Sequence, residues 1–268
     1  MDNFFCYEIE YKGVFVEYTN NPLFSEREIH SYHEILFCQG MEVTLRTENR
    51  HSELRGNTLI VIPKGNYHCF DLGQQKHFPR LKVSIPDELI SGLPVDIFSS
   101  QLSIFYPKKK YWSVLIERLC DAVKNKEENG RGFYVYSAVM MLLAELDKEN
   151  SFVQEAYQSN NQTIVSAVRY VDENISGDLC VEKIAREINV STSFLTHKFK
   201  AEMGISLHRF VVGKRMIYAV DLIEKGENPT KIYRDCGFSD YSSFYKAYCR
   251  FFGTTPSNQR KRALPTLI

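Results

Sequence analysis

The chain has one tryptophan in 268 residues, no C-x-x-C pair and no net charge. Its seven cysteines, at 6, 38, 69, 120, 180, 236 and 249, are odd in number and widely spaced. That excludes a zinc-ribbon spacing and a thioredoxin-type dithiol, and it fits free thiols in a reducing cytoplasm. Long apolar runs are also missing. The stretch AVMMLLAEL from Ala138 is interrupted at Glu145, too short for a bilayer span, so no membrane partner is expected. The opening MDNFFCYEIEYKG lacks a basic region followed by an apolar run, so no signal peptide is expected. The zero net charge conceals an asymmetry: residues 163–268 hold 16 Lys and Arg against 11 Asp and Glu, and the rest of the chain carries the opposite excess. Only one part of the molecule is suited to an anionic partner.

What is present divides into two patterns. From about residue 4 to 85, short runs rich in β-branched and aromatic residues (VFVEYT, EILFCQ, TLIVIP, LKVSI) alternate with NNP, QG, RGN and PKGN. No helical period intervenes, which predicts a sandwich or small barrel. From about 110 to 149 the period becomes helical, with Trp112, Leu115, Ile116, Leu119 and Val123 on one face, followed by the helix Phe133–Lys148. Its apolar arc is wide enough either to pack within the domain or to join a homodimer, for which Val135, Val139, Leu142, Leu143 and Leu146 are the candidate contacts. Residues 151–162 are polar and read as a linker, dividing a domain at 1–150 from an all-α domain at 163–268. The fold class expected is α+β in two domains.

The second domain contains itself twice. VEKIAREINVS begins at Val181 and TKIYRDCGFS at Thr230; Ile184 matches Ile232 at an offset of 48, and Leu195 matches Phe244 at 49. Each copy (about 181–202 and 230–252) reads as a helix-turn-helix: a short helix (Val181–Ile188; Thr230–Cys236), a turn at Asn189 or Gly237, an N-cap at Ser191 or Ser239, and a second helix. Phe194, Leu195 and Phe199, then Phe244, Tyr248 and Phe251 or Phe252, are expected inside. Ser193, Thr196, His197 and Lys200 are left outside on the first copy, and Tyr241, Ser242, Tyr245 and Lys246 on the second. These are hydrogen-bonding or cationic side chains of the kind that meet base edges and phosphates. The stretch LHRFVVGKRMIYAVDLIEKG between the copies suits a connecting helix of about 27 Å, so the two units could enter successive major grooves of duplex DNA.

IAREINVSTSFLTHKFKAEMGIS, KRMIYAVDLIEKG and CGFSDYSSFYKAYCRFFGTTPSNQRK together resemble the AraC/XylS family of bacterial transcription regulators over residues 163–262. The resemblance implies two helix-turn-helix units joined by a linker helix, commonly behind a cupin-like domain that senses a ligand or mediates dimerisation. It also implies a regulator, by family habit an activator, with RNA polymerase as a candidate protein partner, and no enzyme or cofactor. Carried over by position, base contacts fall on Ser193, Thr196, His197, Tyr241, Ser242, Tyr245 and Lys246. Backbone contacts fall on Ser191, Thr192, Lys200, Lys214, Arg215, Ser239 and Arg250. His197 stands where arginine is frequent, so weaker readout is expected from the first unit; Cys249 stands where lysine is usual, which removes one phosphate contact.

The stretch from His30 to Phe70, with its P-K-G-N-Y-H segment, resembles the cupin half of such regulators. Among His30, His33, Glu34 and His68, the adjacent His33 and Glu34 must point to opposite faces of a strand, and no H-x-H pair exists. Only His33 and His68 then remain as ligands, which predicts no metal. A small-molecule effector is expected among Tyr32, His33, Phe37, Tyr67 and His68, unless the barrel is packed solid.

Overall fold

In the β-rich part of the chain the backbone pairs only antiparallel. The computed structural model describes residues 4–21, 28–48, 51–98, 102–107, 110–125, 129–148 and 161–261. Its strands are β1 (Cys6–Tyr11), β2 (Val14–Thr19), β3 (His33–Thr47), β4 (His51–Ile62), β5 (His68–Asp71), β6 (Arg80–Ile85) and β7 (Ser103–Phe105). They form one sheet of order β1-β2-β6-β3-β4-β7, with β5 added on β3. The long strand β3 sets the shape. Its pairing with β4 shifts register between Cys38 and Met41; before the shift β3 pairs with β6, and after it with β5. A bulge bends its strand, and here the sheet curls into a half-barrel.

Alternation then decides which side chain goes where. Ile35 and Phe37 face a core shared with Val14, Val16, Leu59, Val61 and two helices, α2 (Lys110–Lys124) and α3 (Arg131–Lys148). Leu36 and Cys38 face the inside of the curl with Leu45, Leu54, Ile60 and Phe70. A short helix, α1 (Asp87–Ser91), follows β6. Val135, Val139, Leu142, Leu143 and Leu146 are all 2% exposed or less within the first of these cores. They are therefore not surface contacts for a second protomer; on α3 the exposed apolar residues are Phe133, Tyr134 and Met141. Among the described residues, no helix is long and apolar enough to cross a membrane.

The helical part comprises α4 (Gln162–Glu173), α5 (Val181–Glu187), α6 (Thr192–Met203), α7 (Leu207–Glu224) and α8 (Tyr241–Phe252), with a 3-10 turn at Pro256–Lys261. Two cores share α7: Leu207, Phe210 and Val211 pack with α4, α5 and α6, and Met216, Ile217, Val220 and Ile223 pack with α8. The expected linker lies almost wholly outside the described residues.

Candidate nucleic-acid interface

Helices α6 and α8 are built by the same local rules from different residues. Each follows a turn in left-handed backbone, Asn189 at φ 57° and Gly237 at φ 74°. Gly237 is also tightly enclosed, since a Cβ there would lie 2.5 Å from the Arg215 guanidinium. Ser191 caps α6 by accepting from the Phe194 amide at 3.2 Å. The cap of α8 is Asp240, accepting from the Ser243 amide at 2.8 Å, and not Ser239 as expected. The extra residue of the second copy thus enters before the cap, so that Ser191 corresponds to Asp240. That same amide bond holds the Asp240 carboxyl below its ordinary pKa, as suits an acid at a helix N-terminus. The segment Thr230–Cys236 is a series of turns with single helical bonds, such as Cys236 N–H to Ile232 O at 2.9 Å, and not the regular helix expected.

Inside, Leu195 and Phe199 of the first unit and Phe244, Tyr248 and Phe252 of the second are fully buried, with Phe251 half-buried. Phe194 departs from expectation. It is 49% exposed and lies on the outer face of α6 beside Ser193, Thr196, His197 and Lys200, all exposed. The Thr196 hydroxyl is turned back to donate to Thr192 O at 2.8 Å. On α8, Ser242, Tyr245, Lys246 and Arg250 are exposed and Tyr241 is half-buried. The candidate base contacts on each helix therefore share one outward face, made over the two helices of aliphatic hydroxyls, two phenols, an imidazole and an amine.

Two candidate phosphate contacts are otherwise engaged. Lys214 is only 13% exposed, with its ammonium 2.8 Å from Glu48 and 3.1 Å from Asp172. Burial works against its charge, but the two carboxylates raise its pKa above the ordinary lysine value. Arg215 donates to the carbonyls of Ile175 and Gly177, the latter at 2.6 Å, and stacks over Phe238. Both residues face packed elements because α7 is central, surrounded by both units and by the sheet domain. Amphipathic spacing alone could not reveal a third neighbour.

The two domains dock through specific contacts. Tyr67 is 1% exposed, packs into the first helical core and donates its hydroxyl to the carbonyl of Met203 at the end of α6. Lys64 bridges Asp87 and Asp221 at 2.5 and 3.0 Å. Ile29 is buried in the α7–α8 core, where a Cβ on Gly213 would come within 3.1 Å of it.

The five residues expected around an effector do not converge. Phe37 faces the helices α2 and α3. His33 pairs with Asp87 at 2.8 Å, its pKa lowered chiefly by burial. Tyr67 faces the helical domain, while Tyr32 and His68 stay within a polar group around Glu34. The slip is one of parity: Glu34, not His33, points into the curl. An open cleft of about 510 Å³ instead lies between the domains, lined by Arg46, Cys69–Gly73, Lys200, Ala201, Met203 and Gly204.

Residues 184–262 match the family model described as a helix-turn-helix domain. The probable transcriptional regulator LumQ of Photobacterium leiognathi is 30% identical over 89 residues, 33% of this chain, which thereby spans about 36% of LumQ. The thermoregulatory protein LcrF of Yersinia pestis is 23% identical over 259 residues, covering 91% of this chain and 94% of LcrF. Among solved structures, ToxT from Vibrio cholerae aligns over 98% of this chain and 99% of its own, at 14% identity and a TM-score of 0.42. The C-terminal part of the chain is therefore a helix-turn-helix domain of the AraC type, shared with these transcription regulators.

Proposed function

We propose that the chain is a cytoplasmic, sequence-specific DNA-binding activator of transcription, and not an enzyme, in which α6 and α8 enter successive major grooves. The observation that carries this reading is the pair of capped helices, each with one exposed hydrogen-bonding face, packed on opposite ends of the 18-residue helix α7. A rod of that length spans about 27 Å, close to one turn of duplex. Ser193, Thr196, His197, Tyr241, Ser242, Tyr245 and Lys246 are assigned to bases, and Ser191, Thr192, Lys200, Ser239 and Arg250 to the backbone. Lys214 joins the backbone contacts only if Glu48 of the docked sheet domain moves away, and Arg215 only if it releases the Ile175 and Gly177 carbonyls of its own domain. RNA polymerase is the partner an activator would contact, and any homodimer would use a surface other than the buried face of α3.

Control by a small molecule follows the same logic. The interdomain cleft touches Met203 and Gly204 at the end of α6, so an effector seated there would bias the first unit. Selection of the full chain against random duplex DNA tests the central reading. Enriched sites with two short blocks about one helical turn apart are expected. Loss of enrichment both in the full chain and in a 161–268 fragment would overturn it.

A further inference from the structure

Inside the curl, four side chains approach one another that the linear sequence does not unite. The ligand-type atoms of Glu28, His30, Glu34 and His68 all lie within 4.8 Å of one another, and all but Glu28 are buried. His30 Nε2 is 3.1 Å from Glu34 Oε2, and His68 Nε2 is 3.7 Å from Glu28 Oε2. Atoms bound to one tetrahedral ion at about 2.0–2.1 Å stand about 3.4 Å apart.

The histidines are also oriented as metal ligands are. His30 donates its Nδ1 proton to Tyr32 O at 2.8 Å, and His68 its own to Asn66 O at 3.3 Å. Each Nε2 is thereby directed inward with its lone pair available, the usual arrangement behind a metal-bound imidazole. Neither His30 Nε2 nor Glu34 Oε2 has a hydrogen-bond partner, although both are buried. Two acceptors facing each other at 3.1 Å must share either a proton on His30 Nε2 or a metal ion, and the metal titration below separates the two. The nearest ammonium, Lys82, stands 3.9 Å from Glu34 and 3.6 Å from Glu28, beyond hydrogen-bond reach. Lys82 and Arg80 together face the carboxylates of Glu17, Glu28 and Glu34, so the acidic groups outnumber the cations around the site.

The same backbone segments reach the other domain. Glu28 and His68 are bridged by paired backbone bonds of 2.8 and 3.0 Å. Ile29, between two of the four residues, is buried against α7, and Tyr67, beside a third, is buried against Phe210 and Met203. Alternate side chains on these segments thus point into the cluster and into the two helix-turn-helix cores.

We propose that Glu28, His30, Glu34 and His68 bind one divalent transition-metal ion of the zinc type, and that the ion fixes the segments docking the sheet domain onto both helix-turn-helix units. The site differs from the sequence expectation in that Glu34, not His33, points inside and Glu28 joins it. The proposal does not rest on DNA binding, so its failure and the failure of the proposed function are separable.

The test uses the full chain, freed of metal with a chelator and titrated with Co²⁺ and then Zn²⁺. One equivalent is expected, with the visible bands of four-coordinate cobalt, no thiolate charge-transfer band, and displacement by zinc. His68→Ala and the near-isosteric Glu34→Gln should each weaken binding by more than about tenfold, while His51→Ala, at an exposed histidine, should not. Circular dichroism of the metal-free variants checks folding, and Glu34→Gln decides the outcome if His68→Ala does not fold. Amide exchange should slow on zinc addition at Ile29, Tyr67 and the middle of α7. No binding, a thiolate band, or binding unchanged in folded Glu34→Gln would overturn the site. Binding without slower exchange on α7 would overturn the docking role.

Discussion

The two helix-turn-helix units differ less in architecture than in what covers them. The first has a regular leading helix, a serine cap and a core of mixed aliphatic and aromatic residues. The second has a leading series of turns, an aspartate cap and a core built on Phe244, Tyr248 and Phe252. Aromatic volume compensates in the second unit for its missing helix. The sheet domain treats them unequally. It reaches the end of α6 through Tyr67, and Glu202 on that helix through His51 at 3.7 Å, while its contacts to the second unit fall on α7 and leave the outer face of α8 open. Control from the sheet domain is therefore expected to act mainly on the first unit.

The largest effects should break the likeness of the two cores. Phe199→Ala and Phe244→Ala each empty a fully buried site and should each cost about 3–5 kcal/mol in urea unfolding. Equal losses would make the units alike in stability despite the irregular second one. Next, Glu48→Gln removes the closer partner of Lys214 and should cost about 1–3 kcal/mol. By loosening the dock it should also free Lys214 for a phosphate, raising the salt slope of DNA binding by about 1. An unchanged slope would mean that Lys214 stays sequestered when DNA is bound.

The asymmetry in readout is sharpened by His197→Ala and Ser242→Ala, measured against a selected site and random duplex. Ser242→Ala should cost on the order of tenfold in specificity, and His197→Ala less, because an imidazole lacks the fork that pairs with guanine. The smallest effect is on a cap: Ser191→Ala should cost about 1 kcal/mol in thermal unfolding.

Much of this second domain was legible in the sequence because its rules are local. Asn189 and Gly237 mark their turns, Ser191 its cap, and the spacing of Leu195, Phe199, Phe244 and Tyr248 the inward faces. Local rules fail where two choices are chemically equal or a neighbour comes from far along the chain. Ser239 and Asp240 are both good caps, and only the hydrogen bond to Ser243 separates them. Phe194 looks like core by type but sits one position off the buried stripe. On β3, the parity of His33 and Glu34 depends on where β6 pairs, which a single strand does not declare. Lys214 and Tyr67 were assigned by position, but their surroundings are set by the other domain.

One helix supplies both cores of the second domain, with Leu207, Phe210 and Val211 given to one and Met216, Ile217, Val220 and Ile223 to the other. Neither unit then has a complete interior of its own, and the two must melt together. A lesion in one should lower the midpoint of a single cooperative transition rather than split it in two.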